Sequence, residues 1–174
     1  MFHHCQKVST MQAVFRNAMS RLGSPVVLVT TDGPAGPHGL TVSAITSVTD
    51  TPPTVLVCLN RSNQSHQAFL KNGQLGISIL GKGHDTLAFA FANSQMTSAD
   101  RFSHGTWKNG PLGSPLLEDA LATLDCTIDD THSIGTHDVL ICRVHTITVK
   151  DGAGHGLTWF DRSFHYLPPK CTPC

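Results

Sequence analysis

Apolar and polar positions alternate along much of the chain, and their spacing predicts a protein built mostly of short strands. Helical spacing is confined to residues 9–22, 65–71 and 85–92. Segment 93–113 lacks either period and is predicted to be a long polar loop. Because strands and helices do not alternate regularly, an all-β barrel is favoured over a doubly wound sheet. The strand-like runs cover residues 26–31, 39–53, 54–59, 75–80, 122–131, 137–149 and 156–160.

The first helix has the clearest pattern. Ser9 and Gln12 have the spacing of a capping box, and Gly23 suits a helix end. Its apolar residues repeat at helical spacing and predict one apolar face: Met11, Val14, Phe15, Ala18, Met19 and Leu22.

Segment 39–53 alternates β-branched apolar residues with small hydroxyl residues. The hydroxyls fall where charged residues would be expected on a solvated strand: Thr41, Ser43, Thr46, Ser47 and Thr49. Small side chains let a flat ligand approach the backbone, whose N–H and C=O groups can then bind it. The alternative is an ordinary Thr- and Ser-rich edge strand.

A polar loop follows the next strand and leads into the second helix. Asn60, Arg61, Ser62 and Ser65 offer an amide, a cation and hydroxyls, which together could hold a phosphate. The alternative is a capped helix with Ser65 as the N-cap. Next to segment 39–53, the loop could bind the phosphate end of a flat, flavin-shaped ligand.

Composition limits the partners. The 174 residues carry twelve Lys and Arg against twelve Asp and Glu, and 14% are charged. This balance argues against nucleic acid or an anionic membrane as the main partner. With 40% hydrophobic residues, some surface is expected to be covered by a second subunit. No run approaches the ~20 apolar residues of a membrane helix, and the start lacks the apolar core of a signal peptide, so a cytoplasmic protein is expected.

The cysteines fit that expectation. Cys58, Cys126 and Cys142 lie in apolar runs and are predicted to be small buried hydrophobes. Cys171 and Cys174 form a C-x-x-C without a second pair. A zinc site would need both termini to meet and recruit the residues His3, His4 and Cys5, so no metal site is predicted and the termini are taken as short flexible tails.

The glycine-rich pieces at residues 81–83 and 152–156 do not meet a nucleotide-binding fingerprint and are predicted to be turns. No nucleophile elbow or paired-carboxylate arrangement occurs. His137 follows a tight turn at a strand start, although a lone histidine there is also typical of a surface or capping residue. A redox cofactor would leave the protein to bind, orient and exclude water.

Several ordered motifs resemble the short-chain flavin reductases with a flavin-binding split barrel, a family that includes the reductase component of 4-hydroxyphenylacetate 3-monooxygenase. The similarity covers most of the chain, apart from both termini and residues 93–100. The motifs are Thr41-Val42-Ser43-Ala44, Ser47-Val48-Thr49-Asp50, Val57-Cys58-Leu59-Asn60, Ile134-Gly135-Thr136-His137 and Asp161-Arg162-Ser163-Phe164-His165.

The resemblance implies a mainly β, Greek-key split β-barrel with a few flanking helices, which forms a homodimer. One domain is expected over residues 1–174, with its core at about 11–167. The implied cofactor is non-covalent FMN or FAD. The implied flavin-binding residues are Thr41, Val42, Ser43, Ala44, Ser47, Val48, Asn60, Arg61, Ser62, Ser65, Arg101 and Phe102, and those for the nicotinamide nucleotide are His137, Arg162, Phe164 and His165.

The expected activity is hydride transfer from NADH, or less favourably NADPH, to the flavin, with no catalytic side chain because the flavin carries the chemistry. Reduced flavin would then leave to serve a partner monooxygenase. One alternative within the family passes electrons to a cobalt corrinoid such as cob(II)yrinic acid a,c-diamide, in cobalamin biosynthesis. Another alternative, from a different class, is a non-catalytic flavin- or haem-binding split barrel.

Overall fold

The structure, a computed structural model, describes residues 3–152 and 154–169, with side chains from residue 10 onward. The helices are α1 (His3–Met19), α2 (His66–Asn72), α3 (Asp85–Ala92) and α4 (Ser98–Phe102). The strands are β1 (Ser24–Pro25), β2 (Val27–Thr31), β3 (His38–Val42), β4 (Ile45–Asp50), β5 (Pro53–Asn60), β6 (Gln74–Ile79), β7 (Trp107–Asn109), β8 (Pro115–Leu117), β9 (Ala122–Ile134), β10 (His137–Val149), β11 (Gly156–Phe160) and β12 (Ser163–Leu167).

Seven antiparallel strands form the main sheet, in the order β3-β2-β6-β9-β10-β5-β4. β3 and β4 lie at its two ends, although the residues between them are just Ser43 and Ala44. A link that short can join the two edges because the sheet curls into a barrel. The Cys58 amide of β5 donates to the Ala44 carbonyl at 2.9 Å, close to this seam.

The barrel interior is packed with apolar side chains that alternate along the strands. Phe69 of α2 closes part of it, and Val57, Ile77 and Leu140 are among the fully buried residues. A three-stranded sheet, β1-β11-β12, and the pair β7-β8 lie outside the main sheet. The mainly β prediction is therefore confirmed.

The single strand predicted over residues 39–53 is wrong. The strand is interrupted at Ser43 and Ala44 because β3 and β4 belong to opposite edges of the sheet. No local sequence pattern reveals this. β3 is mostly buried, whereas β4 is exposed on both faces from Thr46 to Asp50.

The first helix also differs from its prediction. α1 runs through Ser9 and Gln12, so these residues do not begin it, and it ends at Met19 instead of Leu22. The last residues form tighter turns, with the Arg21 amide bonded to the Ala18 carbonyl at 3.0 Å. Its predicted apolar face exists, but this chain leaves it uncovered, with Phe15 63% exposed.

Segment 93–113 is not a structureless loop. It contains α4, which begins at a capping box between Thr97 and Asp100, and β7. The short strands β1, β8 and β12 were also missed, because two to five residues carry too little periodicity. None of the described helices combines the length and apolar character needed to cross a bilayer.

Candidate active site

The largest cavity found among the described residues lies on the barrel seam, where the Ser43-Ala44 link turns from β3 to β4. Its volume is about 680 Å³, within the range of small-molecule sites. Ser43, Ala44 and Thr46 form one wall, and Leu56 and Cys58 of β5 form another. The small side chains at the link leave the backbone open to a flat ligand.

A second, smaller cavity adjoins it and shares Ser43 and Trp159 with it. This cavity, of about 190 Å³, is mainly apolar and also includes Thr41, Val42 and Phe164. The Phe164 ring lies 5.0 Å from Trp159 and 4.8 Å from Phe89, centroid to centroid. The Thr41 hydroxyl donates to the Ala88 carbonyl at 2.7 Å, so it already has a partner.

A third cavity, of about 240 Å³, is lined by polar side chains. They are amides, hydroxyls and one guanidinium, from the β5–α2 loop and the α3–α4 region: Asn60, Ser62, Asn63, Gln64, Ser94 and Arg101. Asn60 Oδ1 accepts from both the amide and the hydroxyl of Ser62, at 2.9 Å each. The structure thus brings the predicted Asn60, Ser62 and Arg101 together.

Arg101 is a buried cation. Its guanidinium donates to the carbonyls of Gly39 at 3.1 Å and Asn93 at 2.7 Å, and its Nε has no partner among the described residues. No described carboxylate forms an ion pair with it. Burial lowers the pKa of Arg101, yet a guanidinium stays protonated in proteins. A buried charge without a counter-charge is costly, so an anionic ligand would stabilise this arrangement.

Ser65 occupies the N-cap position of α2, but its hydroxyl caps nothing. The alternative interpretation of this segment, with Ser65 as the N-cap, is therefore confirmed in position, but no side-chain cap bond forms and Oγ is buried without a partner in the described structure. The Ser65 amide is instead bonded to Asn63 Oδ1 at 2.9 Å. The hydroxyl does not line the third cavity, although its loop does.

The outward face of β5 connects the largest cavity with the third one. Alternate residues of a strand share a face, so Leu56, Cys58 and Asn60 point the same way. Leu56 and Cys58 line the largest cavity and Asn60 lines the third, about 7 Å further along the strand. One elongated ligand can therefore contact both.

A buried network supports the turn that carries His137. Asp138 accepts hydrogen bonds from Ser133 Oγ at 2.6 Å and from His66 Nε2 at 2.8 Å, and Arg61 Nη1 lies 3.8 Å away. The hydrogen bond from Ser133, then that from His66 and the nearby charge of Arg61, lower the pKa of Asp138 against the opposing effect of burial. This network ties the β5–α2 loop to the β9–β10 turn.

His137 itself is exposed and pairs with Asn60 in the β10–β5 ladder. The Arg61 amide donates to the Thr136 carbonyl at 3.0 Å, and its guanidinium donates to the Gly135 carbonyl. The predicted Arg61 and His137 are therefore neighbours of the third cavity's Asn60, although neither lines that cavity.

Besides Arg61, Ser65 and His137, four more predicted residues line none of the three cavities. Ser47 and Val48 are further along β4, on its exposed stretch. Phe102 packs in an aromatic cluster, 5.3 Å from Phe91 and 4.9 Å from Trp107. His165 lies against Phe160, with its Nε2 3.1 Å from the Phe160 carbonyl oxygen.

Sequence reasoning missed several residues that line these cavities. Trp159 stands between two cavities, Ser94 lies in the third, and Arg16 and Cys58 face the largest. Arg16 and Trp159 come from elements far apart in sequence, so no local signal could place them. Cys58 was expected to be buried but is half-buried, and that burial raises the pKa of its thiol.

Of the five other cysteines, two can be compared with their predictions and three cannot. Cys126 and Cys142 are buried as predicted, and burial raises the pKa of both, that of Cys142 to about 12. Cys5, Cys171 and Cys174 lie outside the residues whose side chains the structure describes.

Residues 19–168 match the model of the flavin reductase-like domain. The chain belongs to this family. The resemblance inferred from the motifs is therefore confirmed, and the match spans the barrel and the β11–β12 hairpin.

Known members of the flavin reductase family are similar over most of the chain. The FMN reductase (NADH) RutF of Cronobacter turicensis is 48% identical over 161 residues, covering 92% of this chain and 96% of the relative. SgcE6, the NADH:FAD oxidoreductase of Streptomyces globisporus solved with NAD and FAD fragments, is 27% identical with a TM-score of 0.84, covering 92% and 95%.

The styrene monooxygenase flavin reductase of Pseudomonas putida S12 has a TM-score of 0.80 at 25% identity, covering 90% of this chain and 99% of that one. These likenesses confirm the predicted split-barrel fold.

Proposed function

We propose that the protein is an NADH-dependent flavin reductase that binds FMN along β5. The observation that carries this proposal is the shared outward face of Leu56, Cys58 and Asn60, which runs from the seam cavity to the polar cavity. The family and its curated relatives support the predicted class of activity, reduction of flavin with NADH. FAD remains an alternative flavin, since SgcE6 is an NADH:FAD oxidoreductase.

The seam would hold the ring system. Ser43 and Ala44 present backbone groups without bulky side chains, and Trp159 closes the side towards the second cavity. Bound there, flavin supplies the hydride-accepting atom, N5, of the reaction. The chain's part is to fix the ring, exclude water and hold the reductant about 3–3.5 Å from that atom.

The polar cavity would hold the phosphate. Arg101 supplies a buried positive charge, and Asn60, Ser62 and Ser94 supply neutral donors. An anionic group fits this cavity because a phosphate would balance the charge of Arg101, which no described carboxylate pairs. Arg61 and Ser65 support this cavity from the same loop.

The predicted residues for the nicotinamide nucleotide fall into two groups. Arg162 lines the seam cavity and Phe164 the adjoining one, whereas His137 stands beside Asn60 at the phosphate end. We propose that Arg162 and Phe164 act within this chain's site. We propose that His137 and His165 contribute to nucleotide binding in the assembled homodimer.

We propose a single domain over residues 1–174, in the cytoplasm, that forms a homodimer. The released reduced flavin would serve a partner monooxygenase. The name of the styrene monooxygenase flavin reductase, a structural neighbour, supports such a partner.

The decisive experiment follows NADH oxidation by the purified protein with FMN, FAD and riboflavin in turn, and records whether flavin co-purifies. Turnover that scales with free FMN supports release of reduced flavin. A tightly held flavin whose reoxidation is accelerated by a cobalt corrinoid supports the corrinoid alternative instead. Absence of NADH oxidation with every flavin and acceptor overturns the reductase assignment and leaves a non-catalytic flavin- or haem-binding barrel.

A further inference from the structure

Two arginines that lie far apart in sequence line the seam cavity. Arg16 comes from α1 and Arg162 from the turn between β11 and β12. None of the described residues that line the cavity carries a carboxylate. Guanidinium groups are well suited to phosphate oxygens because their donors form a planar fork.

The Arg16 carbonyl accepts from the Ser20 amide at 3.0 Å, whereas its guanidinium has no hydrogen bond or ion pair with any described residue. It lies on the cavity side of α1, one residue before Asn17. Arg162 is held at this helix: its Nη2 lies 3.4 Å from Asn17 Oδ1. The two guanidinium groups are thus presented by adjoining elements, and that of Arg16 is uncommitted.

The turn that carries Arg162 is strained. Asp161 and Arg162 have φ values of 46° and 62°, a region that favours glycine. Contacts with the end of α1 fix the turn: the Asp161 amide donates to the Ser20 carbonyl at 2.7 Å, and Arg21 Nε lies 3.7 Å from Asp161 Oδ1. Non-glycine residues held in this conformation are frequent at ligand-binding sites.

We propose that Arg16, together with Arg162, binds the pyrophosphate of the reduced nicotinamide dinucleotide. This inference rests on the proposed function, because it takes the flavin ring to lie at the seam. The flavin phosphate is directed along β5 to Arg101, so the arginines at the seam face a second anion. A dinucleotide must place its nicotinamide against the ring, which brings its pyrophosphate to the mouth of the same cavity.

The test compares NADH with N-benzyl-dihydronicotinamide, which has the same reacting ring and no phosphate. Arg16→Gln is expected to raise KM for NADH about tenfold, the loss of one charge-assisted hydrogen bond. The ratio of kcat/KM for NADH to that for the benzyl compound should fall by a similar factor. Arg16→Lys should restore part of the ratio, since it keeps the charge but not the fork.

The matched control is Arg143→Gln, which removes an exposed arginine on β10 whose Nε is 2.7 Å from Asp129 Oδ2. It should leave the ratio at the wild-type value. An unchanged ratio in Arg16→Gln overturns this inference while wild-type turnover keeps the proposed function intact. A rise in KM for FMN in place of NADH also overturns it, by assigning the arginines to the flavin phosphate. Failure of the wild type to oxidise NADH counts against the proposed function itself.

Discussion

At the scale of single residues, Arg101 and Asp138 are buried charged side chains that differ in what balances them. Asp138 has two hydrogen-bond donors and a nearby guanidinium, so its charge is satisfied inside this chain. Arg101 has two carbonyl acceptors and no carboxylate partner among the described residues. The contacts of Asp138 within the chain are enough to explain its burial, whereas the unpaired charge of Arg101 points to a ligand.

Arg101→Gln is expected to weaken FMN binding while changing riboflavin binding little, because riboflavin lacks the phosphate. The loss of one charge-assisted contact corresponds to an increase of about 10- to 100-fold in Kd for FMN. Fluorescence titration of each flavin measures this. Arg101→Lys keeps the positive charge and so tests its contribution. A thermal melt of each variant shows whether α4 has become less stable. Equal weakening for both flavins would contradict a phosphate contact.

Asp138→Asn is expected to reduce stability in neutral solution, and the deficit should shrink in acid. Because the hydrogen bond from Ser133 and then His66 lower the pKa of Asp138 below its ordinary value, its contribution is fully present above about pH 4. That contribution is lost as the pH falls through the depressed folded-state pKa. Thermal melts of the wild type and the variant, from neutral pH to below about pH 4, measure the difference in stability. A deficit that stays constant in acid would refute the link between the Asp138 pKa and stability.

At the scale of elements, β3 connects the polar cavity that Arg101 lines with the seam. Its Gly39 carbonyl accepts from Arg101, and the strand ends one residue before Ser43. A Cβ on Gly39 would lie 2.6 Å from Cε1 of Phe91, which is buried in the aromatic cluster. The close contact between β3 and α3 therefore depends on a glycine here.

Gly39→Ala is expected to destabilise the fold by about 1–3 kcal/mol, the usual cost of overpacking a core. Gly23→Ala is the matched control, since its Cβ would make an ordinary contact of 3.7 Å with Thr158 Cγ2. Urea unfolding of the two variants and the wild type measures the difference. If both substitutions cost the same, the contact with Phe91 does not limit the packing.

At the scale of the whole molecule, the chain leaves apolar surface uncovered near the site. Met11, Val14 and Phe15 of α1 are 70%, 58% and 63% exposed, and Val48 of β4 is 53% exposed. An exposed apolar face of this kind is typical of a subunit interface. The face lies beside the seam cavity, since Arg16 and Met19 of the same helix line it.

Phe15→Glu is expected to shift the proposed homodimer towards monomer, because a buried interface would have to accept an unpaired charge. Sedimentation equilibrium measures the change, with Lys108→Glu on β7 as a charge-changing control away from α1. A monomeric wild type, or a variant that dimerises as the wild type does, would refute an interface on this face.

The sequence by itself determined most elements and the class of protein. Long strands and helices carry enough periodicity to be located, and α3, β10 and β11 have the bounds that the pattern predicted. Ordered motifs identified the flavin reductase family, which the domain match confirms. The Asn60 loop could be singled out because its residue types already suit a phosphate.

Tertiary structure alone decided where those residues meet. The break at Ser43 and Ala44 exists because the sheet closes into a barrel, which is a non-local property of strand order. Arg16 and Arg162 lie 146 positions apart in the sequence and line one cavity because α1 ends against the β11–β12 turn. The hydroxyl of Ser65 looked like a helix cap and is instead a buried group without a described partner. Residue type and spacing cannot report such contacts, since they depend on how distant elements pack.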